Sequence, residues 1–384
     1  MKNNQATTLL SQLVSISSIS GSEARIADFI YAWLKNHGVN AFKQAQNVVA
    51  KVEGKDSGQA IILNGHMDTV KPGDRNKWQT DPFDPVLKGD RLYGLGASDM
   101  KGSLAAMMIF AQKLVTQQPV CDVWFSFVVK EELDGSGTKS FLKWFKEKGY
   151  LKKYQGIAAV IGEPTGLKTI ELGHKGNAFI KVSIKGQSGH GSRPEAIKEH
   201  AILKMNQLIA ESVKQVKIWQ KKYQDKYLGM PTLGLTGIKA GSFKCPNKFP
   251  DQCQAQFDLR TTPALHQVLE KEIKNWLAKS GASFQFIAKP APFGWCDPEE
   301  KIVFAIKAAI RGIKLNVSHG ASDQCFFTLL GIPAVIFGPG EKTIIHQENE
   351  WIDLKEVGKA LSIYQKVVVQ FTTVPESPTF LGWG

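Results

Sequence analysis

The chain has 384 residues, 48 Lys and Arg against 35 Asp and Glu, a formal net charge of +13, and 43% hydrophobic residues. That is length for more than one domain and apolar material for a packed core, which excludes a disordered or fibrous chain. No apolar run approaches the roughly 20 residues of a membrane-spanning helix, and MKNNQATTLLSQLVSISSIS lacks the basic flank and continuous apolar core of a signal peptide, so a cytoplasmic protein with no membrane partner is expected.

Cys121, Cys245, Cys253, Cys296 and Cys325 are odd in number and show no C-x-x-C spacing, which fits reduced thiols and leaves any metal to other ligands. Only six basic residues are Arg: 25, 75, 91, 193, 260 and 311. Nucleic-acid recognition favours the guanidinium fork, and the Lys are scattered apart from KQVKIWQKKYQDKY (214–227), which reads as a solvated helix face. No nucleic-acid partner is expected.

In chain order, Ser20-Gly-Ser-Glu23 reads as a capping box opening a helix that stops at Gly38. Four short apolar runs follow at intervals: AIILNG (60–65), VWFSFVV (123–129), IAAVIG (157–162) and AVIFG (334–338). Runs that are apolar at consecutive positions suit strands buried on both faces. KGSLAAMMIFAQKLV (101–115) between the first two is helical, so this part reads as an α/β layer around a central sheet.

The middle changes character. NAFIKVSIKG (177–186) alternates as a strand with one wet face does, and PEAIKEHAILKMNQLIAESVKQ (194–215) reads as a helix opening at Pro194. TLGLTGI (232–238), QCQAQFDLR (252–260), a helix over 264–281 and SFQFIA (283–288) complete a βαββαβ order, the ferredoxin-like unit. The predicted organisation is therefore a discontinuous α/β domain, 1–174 and 293–384, with an α+β domain, 175–292, inserted.

Three of the buried runs end on charged or imidazole groups: AIILNG on His66-Met-Asp68, VWFSFVV on Lys130-Glu131-Glu132, IAAVIG on Glu163. The fourth precedes His346 by a short loop, and Asp99 stands just before the helix near Lys101. Ligands of open α/β sheets bind outside the carboxyl ends of strands, so these segments converge on one edge. Taken singly, His66 could be a core histidine, Glu131-Glu132 a solvated turn and Glu163-Pro164 a strand terminator. Taken together, so many carboxylates and imidazoles in one pocket would repel and desolvate one another without a cation. Two His with carboxylates suit zinc, cobalt or manganese better than calcium or magnesium.

The stretch GHMDTVKPGDRNKWQTDPFDPVLKGDRLYGLGASDMKGSLAAM (65–107) resembles the signature of the M20 metallopeptidase family, in the branch of acetylornithine deacetylase and succinyl-diaminopimelate desuccinylase. KEELDGSGT (130–138), GEPT (162–165), SGHGSRPE (188–195), DLRTTP (258–263), ASD (321–323) and FGPGEKTIIHQENEW (337–351) agree in order and spacing. Gly94-Leu95-Gly96 and Lys130 depart from it, where relatives commonly carry Gly-Arg-Gly and Asp.

The resemblance implies a zinc-peptidase-like catalytic domain with a central mixed sheet and an inserted ferredoxin-like lid that also dimerises. It implies two Zn²⁺, replaceable by Co²⁺ or Mn²⁺, with Asp99 bridging, His66 and Glu163 on one ion, and Glu132 and His346 on the other. Asp68 would accept the free ring N–H of His66, Glu131 would be the general base, and His190 would bind the oxyanion, acting in the partner subunit of a homodimer. Arg260 reads equally as a clamp for a substrate carboxylate or as a strand-end ion pair; Ser322 and Asn349 are further candidate substrate contacts. The expected reaction is deacylation of an N-acyl amino acid, first N-acetylornithine or a similar N-acetyl amino acid. Succinyl-diaminopimelate comes second and dipeptidase or carboxypeptidase action third. A non-catalytic metal scaffold is the contrasting class, and the presence of Glu131 argues against it.

Overall fold

The computed structural model describes residues 4–373. The first stretch contributes α1 (Asn4–Ser15), α2 (Ala24–Asn36), β1 (Ala41–Gln44), β2 (Asn47–Val52), β3 (Asp56–His66), β4 (Val86–Lys88), β5 (Arg91–Tyr93), α3 (Gly102–Thr116), β6 (Cys121–Val128), α4 (Ser136–Glu147), α5 (Tyr150–Lys153), β7 (Gly156–Ile161) and β8 (Thr169–His174). The middle adds β9 (Gly176–Lys185), β10 (Gly189–His190), α6 (Ala201–Lys222), β11 (Thr232–Ala240), β12 (Lys248–Phe249), β13 (Gln252–Thr261), α7 (Pro263–Leu277) and β14 (Ser283–Phe286). The last stretch carries β15 (Gly294–Trp295), α8 (Lys301–Ala309), β16 (Lys314–Ser318), α9 (Gln324–Leu329), β17 (Ala334–Ile336), β18 (Trp351–Asp353) and α10 (Leu354–Thr373). Among the described residues two compact units result: residues 4–173, 295–317 and 322–373 form the first, residues 174–294 and 318–321 the second. The short return of 318–321 to the second unit has no counterpart in the sequence reading.

In the first unit a mixed sheet runs in the order β1-β2-β6-β3-β7-β17-β8-β15. Its centre is parallel: β3 pairs with β6 on one side and β7 on the other, and β7 with β17. These are the four apolar runs. Side chains alternate across a strand, so Ile61, Leu63, Val123, Phe125, Val160 and Val335 pack under α1, α2, α3, α8 and α10. Ile62, Trp124, Ala159, Ile161 and Ile336 pack on the opposite face with Phe141, Phe145 and Phe327 of α4 and α9. Both faces are covered, and each large side chain so buried contributes about 1.5–3 kcal/mol. α3 is buried on all sides along most of its length, which explains why its sequence is apolar all round.

The second unit is an antiparallel sheet in the order β11-β13-β9-β14, the ferredoxin-like arrangement. Ala178, Ile180, Val182 and Ile184 of β9 join Cys253, Ala255, Phe257 and Leu259 of β13 in a core with Met205, Leu208 and Trp219 of α6 and Leu269, Ile273 and Trp276 of α7.

Local details differ from expectation. α6 begins at Ala201, capped by His200 Nδ1 on the Leu203 N–H at 3.3 Å; Pro194–Ala196 is a separate tight turn. A proline permits a helix start but does not supply the cap. The capping box at Ser20 is not formed either: the Ser20 hydroxyl donates to Asp68 at 2.6 Å, and Glu23 accepts the Gly21 and Lys130 N–H groups. A buried carboxylate is the stronger acceptor, and it takes the hydroxyl away from the helix.

Candidate metal centre

The four parallel strands bring their carboxyl ends to one edge of the sheet. His66 is the last residue of β3, Glu131 and Glu132 follow β6, Glu163 follows β7, and the 337–350 loop after β17 carries His346. Asp99 enters from an irregular turn ahead of α3, where the Asp99–Met100 peptide is cis.

Asp99 stands between two imidazoles. Its Oδ1 lies 3.0 Å from His66 Nε2 and its Oδ2 lies 3.3 Å from His346 Nε2. Glu163 Oε1 approaches the same His66 nitrogen at 3.4 Å, and Glu132 Oε1 approaches His346 Nε2 at 2.8 Å. Two overlapping donor groups emerge: His66, Glu131 and Glu163, and His66, Asp99 and Glu132.

The electrostatics follow from this crowding. Burial and the neighbouring Glu163, Asp323 and Glu132 push the Glu131 carboxyl well above its ordinary range, against a smaller opposing pull from His66. Burial and Asp99 raise Glu163 to about 7. Burial opposes the charge on Asp99, yet hydrogen bonds from His346 and His66 hold that carboxyl well below its ordinary value. Contacts with Asp99 and Glu132 raise His346 to about 10. For His66, burial disfavours the charged ring, but Glu163 and Asp99 outweigh it and raise the ring well above 6.5. Carboxylates that raise proton affinity at Nε2 raise the affinity for any cation there. The donor set of two imidazoles and surrounding carboxylates therefore fits divalent transition-metal ions.

Asp68 works differently from expectation. His66 Nδ1 donates to the Asp68 backbone carbonyl at 2.9 Å, whereas the Asp68 carboxylate is 3.6 Å away. That bond still fixes the ring so that Nε2 faces Asp99 and Glu163. The carboxylate is engaged by other donors: Oδ1 accepts the Glu131 N–H at 3.1 Å, and Oδ2 the Glu132 N–H at 3.2 Å and the Ser20 hydroxyl. Asp323, absent from the sequence assignment, is buried beside this group, accepts the Thr138 hydroxyl at 2.6 Å, and is raised by burial to about 6. Glu350 and Lys101 were likewise not singled out; both are buried against the Asp99 turn, and Lys101 Nζ donates to the Ile16 carbonyl at 2.8 Å.

The remaining candidates sit in contacts of their own. The Asn349 side chain accepts the Gln79 N–H at 2.7 Å and donates to the Lys77 carbonyl at 3.0 Å, tying its loop to residues 77–79. Ser322 Oγ accepts the Gln324 N–H at 3.3 Å at the start of α9. In the second unit, Arg260 meets Asp258 through Nε and Nη2, each at 2.9 Å, the ion pair weighed from the sequence. His190, on β10, is exposed; its Nδ1 accepts the Ser192 N–H at 3.2 Å, and the Asn247 side-chain amide nitrogen lies 3.5 Å from its Nε2.

The profile of peptidase family M20/M25/M40 matches residues 62–370. Succinyl-diaminopimelate desuccinylase of Colwellia psychrerythraea is 26% identical over 378 residues, covering 94% of this chain and 89% of that protein. Acetylornithine deacetylase of Pectobacterium carotovorum is 27% identical over 337 residues, covering 85% and 83%. Among solved structures, an M20 family metallo-carboxypeptidase from Sulfolobus solfataricus superposes with a TM-score of 0.77 at 19% identity, over 97% of this chain and 100% of that one.

Proposed function

The chain belongs to peptidase family M20/M25/M40, a metal-dependent amidohydrolase, and from that premise we propose that it removes the acyl group from an N-acyl amino acid. One observation carries the reading: each oxygen of Asp99 faces a different histidine, and each histidine is flanked by a further carboxylate. Asp99 would bridge two ions, with His66 and Glu163 holding one and Glu132 and His346 the other; zinc is the proposed metal, with cobalt or manganese as substitutes. When bound, such ions supply Lewis acidity toward an amide carbonyl and water.

The chain's own residues do the rest. Glu131, raised by burial and its acidic neighbours, is the group to take a proton from the attacking water and return it to the leaving nitrogen. Asp68 holds the Glu131 and Glu132 backbone in place through two N–H groups. His190 is assigned as an oxyanion donor: its ring is exposed and is held through Nδ1 by the Ser192 N–H. Arg260, partly exposed and paired through its fork with Asp258, would clamp a substrate carboxylate only by releasing that partner.

The favoured substrate is an N-acetyl amino acid such as N-acetylornithine. The 27% identity to an acetylornithine deacetylase supports it. N-succinyl-diaminopimelate is the second reading, favoured by the longer match to the desuccinylase. A homodimer through the second unit is supported by exposed Leu235 and Ile238 on edge strand β11 and exposed Leu203, Val213 and Ile218 on α6. The test is a panel of N-acetyl-, N-succinyl- and N-formyl-amino acids and dipeptides, assayed with Zn²⁺ for release of free amine. Chelation should abolish turnover and Zn²⁺ or Co²⁺ restore it; activity that survives verified metal removal would overturn the reading.

A further inference from the structure

Glu350 never reaches the imidazoles or carboxylates of the centre, yet it governs where one of them sits. The side chain is 1% exposed. Its Oε2 accepts the Gly96 N–H at 2.9 Å, and its Oε1 accepts the Ser98 N–H at 2.8 Å and the Asp99 N–H at 2.9 Å. The Glu350 carbonyl adds a fourth bond to the same turn, from the Gly94 N–H at 2.9 Å. The turn has few intrinsic reasons to hold its shape. Gly96 has a left-handed φ of +79°, and Asp99 and Met100 have non-helical backbone angles directly ahead of α3. Buried N–H groups must find acceptors, and a carboxylate serving three of them is a strong, directional anchor.

The same residue lies four positions after His346. It therefore fastens the loop that carries His346 to the turn that carries Asp99, and a second tie runs the same way, from the Glu341 N–H to Ser98 Oγ at 2.8 Å. The 3.3 Å approach of His346 Nε2 to Asp99 Oδ2 is a relation between two loops, and these loops are held to each other chiefly at Glu350.

We infer that Glu350 is a positioning residue of the metal centre, which fixes the Asp99 carboxylate relative to His346 by clamping the 96–99 backbone, and that its loss loosens cation binding without removing a ligand. This rests on the metal-dependent reading above. Outer partners of ligands typically account for 10–100-fold in metal affinity.

The test uses metal-free wild-type, Glu350→Ala, Glu350→Gln and Leu34→Ala proteins, each titrated with Co²⁺ by calorimetry and followed by the visible absorption of the bound ion. Thermal melts of the metal-free proteins accompany the titrations. Leu34, buried in α2, is the control for simple loss of stability. Glu350→Ala should weaken Co²⁺ binding about 10–100-fold and change the absorption band. Glu350→Gln, which keeps one oxygen acceptor but turns an amide N–H₂ toward one of the three N–H groups, should shift both in the same direction by less. Leu34→Ala should lower the melting temperature and leave affinity and band unchanged. A folded Glu350→Ala with wild-type affinity and spectrum overturns the inference, and if that protein does not fold, the same result for Glu350→Gln does so. A wild type that takes up no Co²⁺ overturns the metal-dependent reading and this inference with it, whereas unaltered variants beside a binding wild type overturn this inference alone.

Discussion

The carboxylate of Asp68 accepts the backbone N–H of Glu131 at 3.1 Å, so the residue two places beyond His66, a proposed metal ligand, sets the backbone of the proposed base. Replacing Asp68 with Ala leaves the Glu131 and Glu132 N–H groups and the Ser20 hydroxyl without this acceptor. Each unsatisfied buried donor costs about 1–3 kcal/mol. Asp68→Ala should therefore lower both the denaturant midpoint and kcat, the latter by about 10–100-fold. Equilibrium unfolding and steady-state kinetics on one preparation check both.

Glu131→Ala removes the proposed proton acceptor and spares the histidines, Asp99, Glu132 and Glu163. Turnover should fall by at least about 10²–10⁴-fold, while metal content measured by elemental analysis stays at the wild-type level. Near-normal turnover in a verified Glu131→Ala protein rules out the assignment of the base.

Far from the metal centre, Asp122 at the start of β6 gathers Lys51 at 3.0 Å, Lys153 at 3.2 Å, the Tyr154 hydroxyl at 2.7 Å and the Gly54 N–H at 2.9 Å. Burial opposes its charge, but the Tyr154, Gly54 and Lys51 hydrogen bonds prevail and hold its carboxyl below the ordinary 3.8. A depressed folded-state pKa means that the unfolded chain binds the proton first on acidification. The stabilisation is thus complete above about pH 4 and is lost as the pH falls from there through the folded-state value. Asp122→Asn should cost about 2–3 kcal/mol at pH 7 and flatten the acid limb of a melting-temperature profile between pH 5 and 2. An unchanged acid limb would show that other carboxylates govern it.

His190 is proposed to serve the active site of a second copy. Mixing His190→Ala protein with Glu131→Ala protein then restores activity, because each mixed dimer holds one site with both groups intact. Subunit exchange verified by mass, with no activity regained, excludes action in trans.

The central strands were legible because they are buried on both faces: Ile61 and Ile62 point to opposite layers, and both layers are apolar. The placement of His66, Glu131, Glu132 and Glu163 at strand ends was legible because the apolar runs stop where the ionisable groups begin. What could not be read were contacts between distant segments that compete with local ones. Ser20 has a local role available at the start of α2 and instead bonds Asp68. Glu350 serves N–H groups more than 250 positions earlier in the chain, and no local pattern announces such a partner. Arg260 had two readings, and only the position of Asp258 two residues before it on β13 shows the fork engaged.

The ties from Glu350 and Glu341 to the Asp99 turn join the start of the chain to its last third. No short peptide of this sequence contains the centre; it exists only once β3, β6, β7 and β17 lie side by side. A cation held there binds the native state and not the unfolded one, which makes it a thermodynamic latch on the whole first unit. At a thousandfold excess over its Kd such a cation would add about 4 kcal/mol to folding, a gain that melting curves recorded with and without metal would read.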